Sequence, residues 1–325
     1  MKVLVTGAAG FIGFHVCKQL LDRGDAVAGL DNFSPYYDVS LKEARLAELE
    51  KRRGDFSFAR LDILDKDALA TFCATQKPAA IIHLAAQAGV RYSIEHPRDV
   101  IDNNVSGFMN VLEQARENSV NHFVYASSSS VYGSNQKVPF SVTDRVDRPI
   151  SMYAASKKAN ELMAHVYSHL YALPATGLRF FTVYGPWGRP DMAAYLFTNT
   201  IYANQTIKLF NFGSHSRDFT FVDDIVTGIL SVLERQPKGV PPYAVYNIGY
   251  NKPEKLRDFI DCLESSIGMK AKTEGVPIQA GDVETTYADI DPLVEDFDYH
   301  PGTSMQDGIA QFIDWYKSYM ELSNP

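Results

Sequence analysis

Between residues 3 and 13 an apolar run, Val3-Leu-Val-Thr-Gly7-Ala-Ala-Gly10-Phe-Ile-Gly13, passes without a polar loop through three glycines into a helical pattern. Gly7 permits a tight turn, Gly10 lets backbone come close to a bound group, and Gly13 allows a helix to pack directly on a sheet. Such a junction belongs to a strand–turn–helix unit of a parallel sheet, with a helix N-terminus that begins near Phe11 and favours anions. The rhythm that follows agrees. Lys2–Thr6, Ala26–Asp31, Phe56–Asp62, Ala79–Leu84, His122–Ser127 and Ala175–Phe181 read as short buried strands separated by helical stretches, which implies a parallel sheet covered on both faces. The expected fold class is therefore α/β, a Rossmann-type doubly wound parallel sheet.

Past Phe181 the alternation breaks, and 325 residues leave room for a second lobe. Pro186, Gly188 and Pro190 make an irregular loop, followed by a helix near Met192–Asn204 and a strand near Ile207–Phe210. Val222–Glu234 and Ala244–Ile248 read as a helix and strand that return to the main sheet. Pro253–Ile267 and Ser304–Met320 read as helices of a smaller mixed α/β C-terminal lobe, and Asp38–Arg53 as an extra charged helix. The expected division is residues 1–181 plus about 222–250 for the sheet domain, and about 182–221 plus 251–325 for the second lobe. A cleft between them would lie outside the carboxyl ends of the strands.

Composition narrows the classes. A net charge of −8 argues against nucleic-acid binding by bulk electrostatics. No stretch approaches the roughly 18 apolar residues of a membrane span. With the first strand beginning almost at Met1 we expect no signal peptide, so the cytoplasm is the expected location. Cys17, Cys73 and Cys262 are too few and too scattered for a disulfide framework or a zinc site, and no metal is expected.

The glycines place a dinucleotide pyrophosphate at the first helix. Asp31 ends the second strand about twenty residues on, where a carboxylate accepts both ribose hydroxyls and repels a 2′-phosphate, so NAD is favoured over NADP. Tyr153-Ala-Ala-Ser-Lys157 starts a helical pattern running to about Leu170, and the spacing sets Tyr153 and Lys157 one turn apart on one face. The Lys157 ammonium, with a nicotinamide cation nearby, should stabilise the Tyr153 phenolate and lower its pKa, so that it can take a proton from a hydroxyl as hydride leaves the same carbon. Ser127-Ser128-Ser129-Ser130 ends the fifth strand, where hydroxyls can bond the reacting oxygen.

Gly-x-x-Gly-x-x-Gly, the serine run and Tyr-x-x-x-Lys, in this order, resemble the extended short-chain dehydrogenase/reductase family, and Arg217-Asp218-Phe219 before Val222-Asp223-Asp224 extends the match over nearly the whole chain. Within it the chain is most similar to the UDP-glucuronate 4-epimerases, through Asn32-Phe-Ser-Pro-Tyr-Tyr-Asp38, Gly89-Val-Arg-Tyr-Ser93 and Thr182-Val-Tyr-Gly-Pro-Trp-Gly-Arg-Pro-Asp-Met192. The resemblance implies Tyr153 as the acid/base, Lys157 as its partner and holder of the nicotinamide ribose, Ser128 as the contact to the sugar O4 and Ser130 as a second hydroxyl. It implies tightly held NAD, recycled each turnover, on Gly7, Gly10, Phe11, Ile12, Gly13, Asp31 and Asn32. Asp62 and Ile63 would flank the adenine, Leu84, Ala85, Ala86, Gln87 and Asn103 would line the cofactor, and Phe181 would lie near the nicotinamide. Arg217 would grip a UDP diphosphate, Asp282 would approach the uridine ribose, and Lys208 through Phe210 would border the uracil. Gln279 stands where galactose-type epimerases carry an arginine, with Arg91 as a substitute. The family's dehydratases and decarboxylases place a glutamate just before Val131-Tyr132-Gly133, where this chain has Ser129 and Ser130, so return of hydride is expected rather than a later acid/base step.

The expected reaction interconverts UDP-glucuronate and UDP-galacturonate through a 4-keto sugar that turns over in the cleft. Such an intermediate is a β-keto acid, and Arg189 could grip its carboxylate bidentately, with Thr182 and a serine adding hydrogen bonds. UDP-glucose epimerisation, UDP-glucuronate decarboxylation and a non-catalytic NAD-binding scaffold are the competing readings. Arg98–Glu117 and Ala154–Tyr171 carry Ile101, Val105, Phe108, Leu162, Val166 and Leu170, positions that more often face a core. In the resembled family these two helices pair across a homodimer as a four-helix bundle.

Overall fold

The structure is a computed structural model that describes residues 1–277 and 285–321. From the N-terminus, β1 (Lys2–Thr6), α1 (Phe11–Asp22), β2 (Ala26–Asp31), α2 (Ser40–Glu50), β3 (Phe56–Arg60), α3 (Lys66–Gln76) and β4 (Ala80–His83) alternate as the sequence predicts. The short α4 (Tyr92–Glu95) and α5 (Pro97–Ile101) lead through a π turn, Asp102–Gly107, into α6 (Phe108–Glu117). Then come β5 (His122–Ser128), α7 (Met152–Tyr171) and β6 (Ala175–Phe180). Beyond these lie β7 (Thr182–Tyr184), α8 (Ala193–Tyr202), β8 (Thr206–Phe210), β9 (Ser216–Phe221), α9 (Val222–Glu234), β10 (Tyr243–Ile248) and β11 (Pro253–Lys255). The chain ends with α10 (Leu256–Ile267), β12 (Lys272–Val276), β13 (Thr285–Thr286), α11 (Asp291–Phe297) and α12 (Met305–Tyr319).

Among the described residues seven strands form one parallel sheet in the order β10-β6-β5-β4-β1-β2-β3. The order reverses between β1 and β4, which opens the crevice where such sheets bind ligands. Both faces are covered. On one, α1 and α9 close over Val5, Val27 and Ile82; on the other, Leu4, Ile81 and Phe123 pack with Phe108, Leu112 and Tyr167 of α6 and α7. Burial on both faces is why the strands read as continuous apolar runs. A third apolar cluster, built on Phe219, Phe259, Phe312 and Tyr316, holds α8, α10 and α12 around β9. There β9 joins β11, β13 and β7 in a smaller sheet, and β8 pairs with β12.

Several boundaries shift. The third strand stops at Arg60, the fourth covers only Ala80–His83, and the sixth ends at Phe180, so Phe181 lies one residue past it and donates its N–H to Ile248 instead. The helix expected over Pro253–Ile267 begins only at Leu256, because Pro253–Lys255 pairs with Ser216–Asp218 as an edge strand. Arg98–Glu117 is not one uniform α-helix but is interrupted by the π turn. Phe108 is core, as its pattern suggests, whereas Leu162, Val166 and Leu170 are exposed, at 58%, 47% and 61%. Core-like periodicity on α7 therefore marks two faces, only one of which meets the sheet.

Candidate active site

The glycine turn closes tightly. Gly10 donates to the Gly7 carbonyl at 2.8 Å, and a Cβ on Gly13 would collide with that same carbonyl oxygen. Gly7, at φ +71°, leaves so little room that a Cβ would stand 2.9 Å from the Ala85 nitrogen, two residues past the end of β4. Gly10 caps α1 with no side chain to satisfy its first-turn N–H groups. Those donors, with Phe11 and Ile12 at the helix start, face outward as an anion site. Leu84 and Ala85 donate to the Thr6 hydroxyl at 3.2 and 3.1 Å, which fixes the opposite wall.

At the ends of β2 and β3 the carboxylates gather. Asn32 donates to Asp62 at 2.9 Å, and Asn110 holds the Ile63 carbonyl at 2.8 Å. Asp31 is buried, and its Oδ1 accepts from the Phe33 N–H at 2.8 Å and from Lys42 at 3.1 Å. The remaining carboxylate oxygen is suited to a ribose diol. Lys42 was not foreseen; its place within a charged helix gave no sign that α2 folds back onto the strand end. Asn103 turns its amide back to the Asp99 carbonyl of its own helix, and the carboxamide that reaches the Leu84–Gln87 wall is that of Asn104. Asn104 exchanges hydrogen bonds with the Gln87 backbone at 2.8 and 3.0 Å and reaches Ser156 on α7. The π turn adds a residue to the helical register, and that rotation brings the second asparagine inward.

On α7, Ser151 caps the helix through the Ala154 N–H, which places Tyr153 and Lys157 in its first two turns. Lys157 is buried, donates to the Ala126 carbonyl at 2.9 Å, and sits 6.0 Å from the Tyr153 ring centre. Burial pulls its ammonium down to about 8. Tyr153 departs from expectation. Burial raises its pKa, while the Arg189 charge and a hydrogen bond with Ser128 pull the other way without prevailing. The lysine is directed at backbone, so the protein's own lowering of the phenol comes from Arg189 and Ser128. Ser128 also accepts the Ser130 N–H at 3.1 Å, which bends the serine run across the end of β5. Below it, Ser127 donates to Glu161 at 2.7 Å, and Arg179 of β6 grips the same carboxylate at 2.8 and 2.9 Å. Tyr153, Lys157 and Glu161 thus share one face of α7 and tie it to β5 and β6 in successive layers. Phe181 lies beside Tyr132 and Phe140 in an aromatic cluster.

Across the cleft Thr182 and Arg189 border a small pocket with Phe11 and Gly188. Arg189 chelates Asp191, with Nε–Oδ1 at 2.9 Å and Nη2–Oδ2 at 2.5 Å, and Tyr36 donates to Asp191 at 3.0 Å. Burial works against the Asp191 carboxylate, yet Arg189 and Tyr36 outweigh it and hold its pKa below the ordinary value. Further out, the Arg91 guanidinium lies 5.4 Å over the Phe210 ring, next to exposed Lys208 on β8. Arg217 pairs in register with Glu254 and Thr286, while its neighbour Asp218 is buried and collects the N–H groups of Tyr250, Asn251 and Ala288. Asp282 and Gln279 lie outside the described residues.

Residues 3–249 match the profile of the NAD dependent epimerase/dehydratase family. The chain belongs to that family. Members similar along its length include Protein CapI of Staphylococcus aureus, 48% identical over 98% of this chain and 99% of that one. UDP-glucuronate 4-epimerase 2 of Arabidopsis thaliana is 46% identical over 98% of this chain and 76% of its own length. Among solved structures, UDP-glucuronic acid 4-epimerase of Bacillus cereus in complex with UDP-glucuronic acid and NAD superposes with a TM-score of 0.91 at 34% identity, covering 98% of this chain and all of that one. The epimerase/dehydratase fold and its NAD dependence therefore hold for this chain, and the uncapped helix, the glycine turn and Asp31 are the features that suit that cofactor. No cluster able to hold a metal occurs among the described residues, and no helix there is long and apolar enough to cross a membrane.

Proposed function

We propose that the chain is an NAD-dependent 4-epimerase that interconverts UDP-glucuronate and UDP-galacturonate. The observation that carries the reading is Arg189: a guanidinium mostly withdrawn from solvent, already chelating a carboxylate, whose charge reaches the Tyr153 phenol. A neutral hexose would offer such a group only hydroxyl oxygens, without the charge and the bidentate fit of a carboxylate. Strong likeness to the Arabidopsis and Bacillus epimerases supports the same substrate.

In this mechanism Tyr153 removes the proton from O4, Ser128 bonds that oxygen, and Ser130 stands by as a second hydroxyl. NAD held at this site would supply an acceptor for the C4 hydride and the source of its return to the other face of the sugar. Lys157 orients the nicotinamide ribose. Gly7, Gly10, Phe11, Ile12 and Gly13 would hold the pyrophosphate, Asp31 and Asn32 the adenosine ribose, Asp62 and Ile63 the adenine, and Leu84, Ala85, Ala86, Gln87, Asn103 and Phe181 would line the remainder. Arg217 and Arg91 serve the diphosphate, Lys208 and Phe210 the uracil, and Asp282 the uridine ribose. Arg189 and Thr182 hold the sugar carboxylate so that the C5–C6 bond lies poorly aligned with the C4 ketone, which protects the intermediate from loss of CO2. Ser129 and Ser130, where a carboxylate would be needed for later chemistry, favour simple return of hydride. The sheet domain comprises residues 1–181 plus about 222–250, and the remainder forms the sugar-nucleotide lobe. We place the protein in the cytoplasm as a homodimer through α6 and α7.

Incubation with UDP-glucuronate followed by proton NMR tests the assignment. The expected product is the C4 epimer; UDP-xylose or an unchanged spectrum would overturn it. Replacing Tyr153 with Phe should cost at least about 100-fold in turnover, the low end for a positioned general acid/base.

A further inference from the structure

The loop that carries Arg189 is held from beneath by two buried side chains of the sheet domain. His15, on α1, has Nε2 at 2.8 Å from the Pro186 carbonyl; burial takes its pKa to about 3, so the ring is neutral near pH 7 and Nε2–H donates. Arg45, on α2, is fully buried. Its Nη2 donates to the Trp187 carbonyl at 2.6 Å and, more weakly, to the Gly188 carbonyl at 3.4 Å. Its Nη1 donates to the Ala9 carbonyl, inside the glycine turn, at 3.0 Å and to the Tyr37 hydroxyl at 2.7 Å. Three consecutive carbonyls before Arg189 are thus tied to the element that carries the cofactor.

Two further facts distinguish this from ordinary packing. Among the described residues none of the acceptors of Arg45 is a carboxylate, and Nε has no partner. A buried cation satisfied by neutral groups is costly, and a hydrophobic residue would fill the space more cheaply. The loop it holds is also unrelaxed: Trp187 sits at φ +61°, a region that bulky side chains avoid, with its ring packed against Phe14 at 5.3 Å and Trp315 at 5.3 Å. A planar fork that spans Ala9 and Trp187 sets the distance between the glycine turn and the residue next but one, Arg189.

We propose that Arg45 is a positioning residue that fixes Arg189 relative to Tyr153 and the cofactor turn, and thereby governs whether the 4-keto uronate keeps its carboxylate. The inference rests on the reading of Arg189 as the carboxylate clamp. If the clamp shifts, the C5–C6 bond can align with the ketone and break. Its electron pair passes into the C4 enolate, CO2 leaves, C5 takes a proton from water, and the hydride abstracted earlier stays on the cofactor as NADH.

Wild-type, Arg45→Met, Arg45→Lys and Arg189→Ala chains, each supplied with NAD, are compared in three ways. Calorimetry gives the dissociation constants of UDP-glucuronate and of UDP, NMR and nicotinamide absorbance give the share of turnovers ending in CO2 and NADH, and thermal melting reports folding. Arg45→Met should raise the UDP-glucuronate constant about tenfold relative to that of UDP, since small misplacements at a clamp carry effects of this order or larger, and should raise the CO2 share. Arg45→Lys should melt closer to wild type yet keep the altered ratio, because a point charge cannot span both carbonyls; it carries the test if Arg45→Met does not fold. A ratio and CO2 share unchanged in the Arg45 variants, beside a raised ratio in Arg189→Ala, overturn the positioning role and leave the clamp standing. An unchanged ratio in Arg189→Ala overturns the clamp and the proposal with it.

Discussion

Lys157 shows how a single side chain can serve chemistry against stability. An unfolded lysine ionises near 10.5, whereas burial brings this one to about 8. Between these values the unfolded chain binds more protons than the native one, so stability rises with pH across that window, and below pH 8 the full penalty stands. Lys157→Met should therefore stabilise the protein at pH 7 by up to about 3 kcal/mol, the order of magnitude that a shift from 10.5 to about 8 represents, while abolishing turnover. Urea unfolding of both proteins without added cofactor at pH 7 and pH 10 checks this. The gap should narrow at the higher pH; a constant or growing gap would contradict it. Tyr153 and Lys157 were legible as a pair because helical spacing alone sets them on one face. The upward direction of the tyrosine's pKa was not legible, since it comes from how completely the start of the helix is covered, against the opposing charge of Arg189 on a loop distant in sequence.

The helix that carries these residues is fastened by Glu161, buried with Arg179 and Ser127 between α7, β5 and β6. Removing one member leaves a charge in the interior. Arg179→Met should cost about 3–5 kcal/mol of unfolding free energy, and Arg179→Met with Glu161→Leu should recover part of that loss; denaturant titration of single and double variants measures it. Elements of this kind divide by how local their causes are. The strands of the main sheet and α1, α2, α7 and α9 were readable because apolar runs, helical spacing and, for α7, the Ser151 cap lie within each segment. Strands β7, β11 and β13 were missed because two or three residues carry no pattern of their own and form only by pairing with β9. Asn104 was not foreseen for a related reason: a regular 3.6-residue period cannot register the π turn that brings it to the Gln87 backbone.

At the scale of the whole molecule, α6 and α7 present Met109, Leu162, Val166, Leu170 and Tyr171 to solvent on the far side from the catalytic face. An apolar stripe on paired helices suits a second copy of the chain, as the proposed dimer requires. Leu170→Glu should convert a dimer into a monomer by light scattering at micromolar concentration, without loss of secondary structure. A monomeric parent protein would remove that prediction's basis.

The backbone leaves the large sheet after β6, returns through α9 to β10, and departs again at β11. After β11 and α10 it returns once more, as α11 against α9 and β10, before α12 joins the cluster around β9. By packing, five connections therefore span the boundary, and all would have to bend in concert for one part to swing away from the other. Entry of a nucleotide sugar should accordingly depend on side chains and short surface turns yielding locally, and neither half could be excised at a single cut and expected to fold intact.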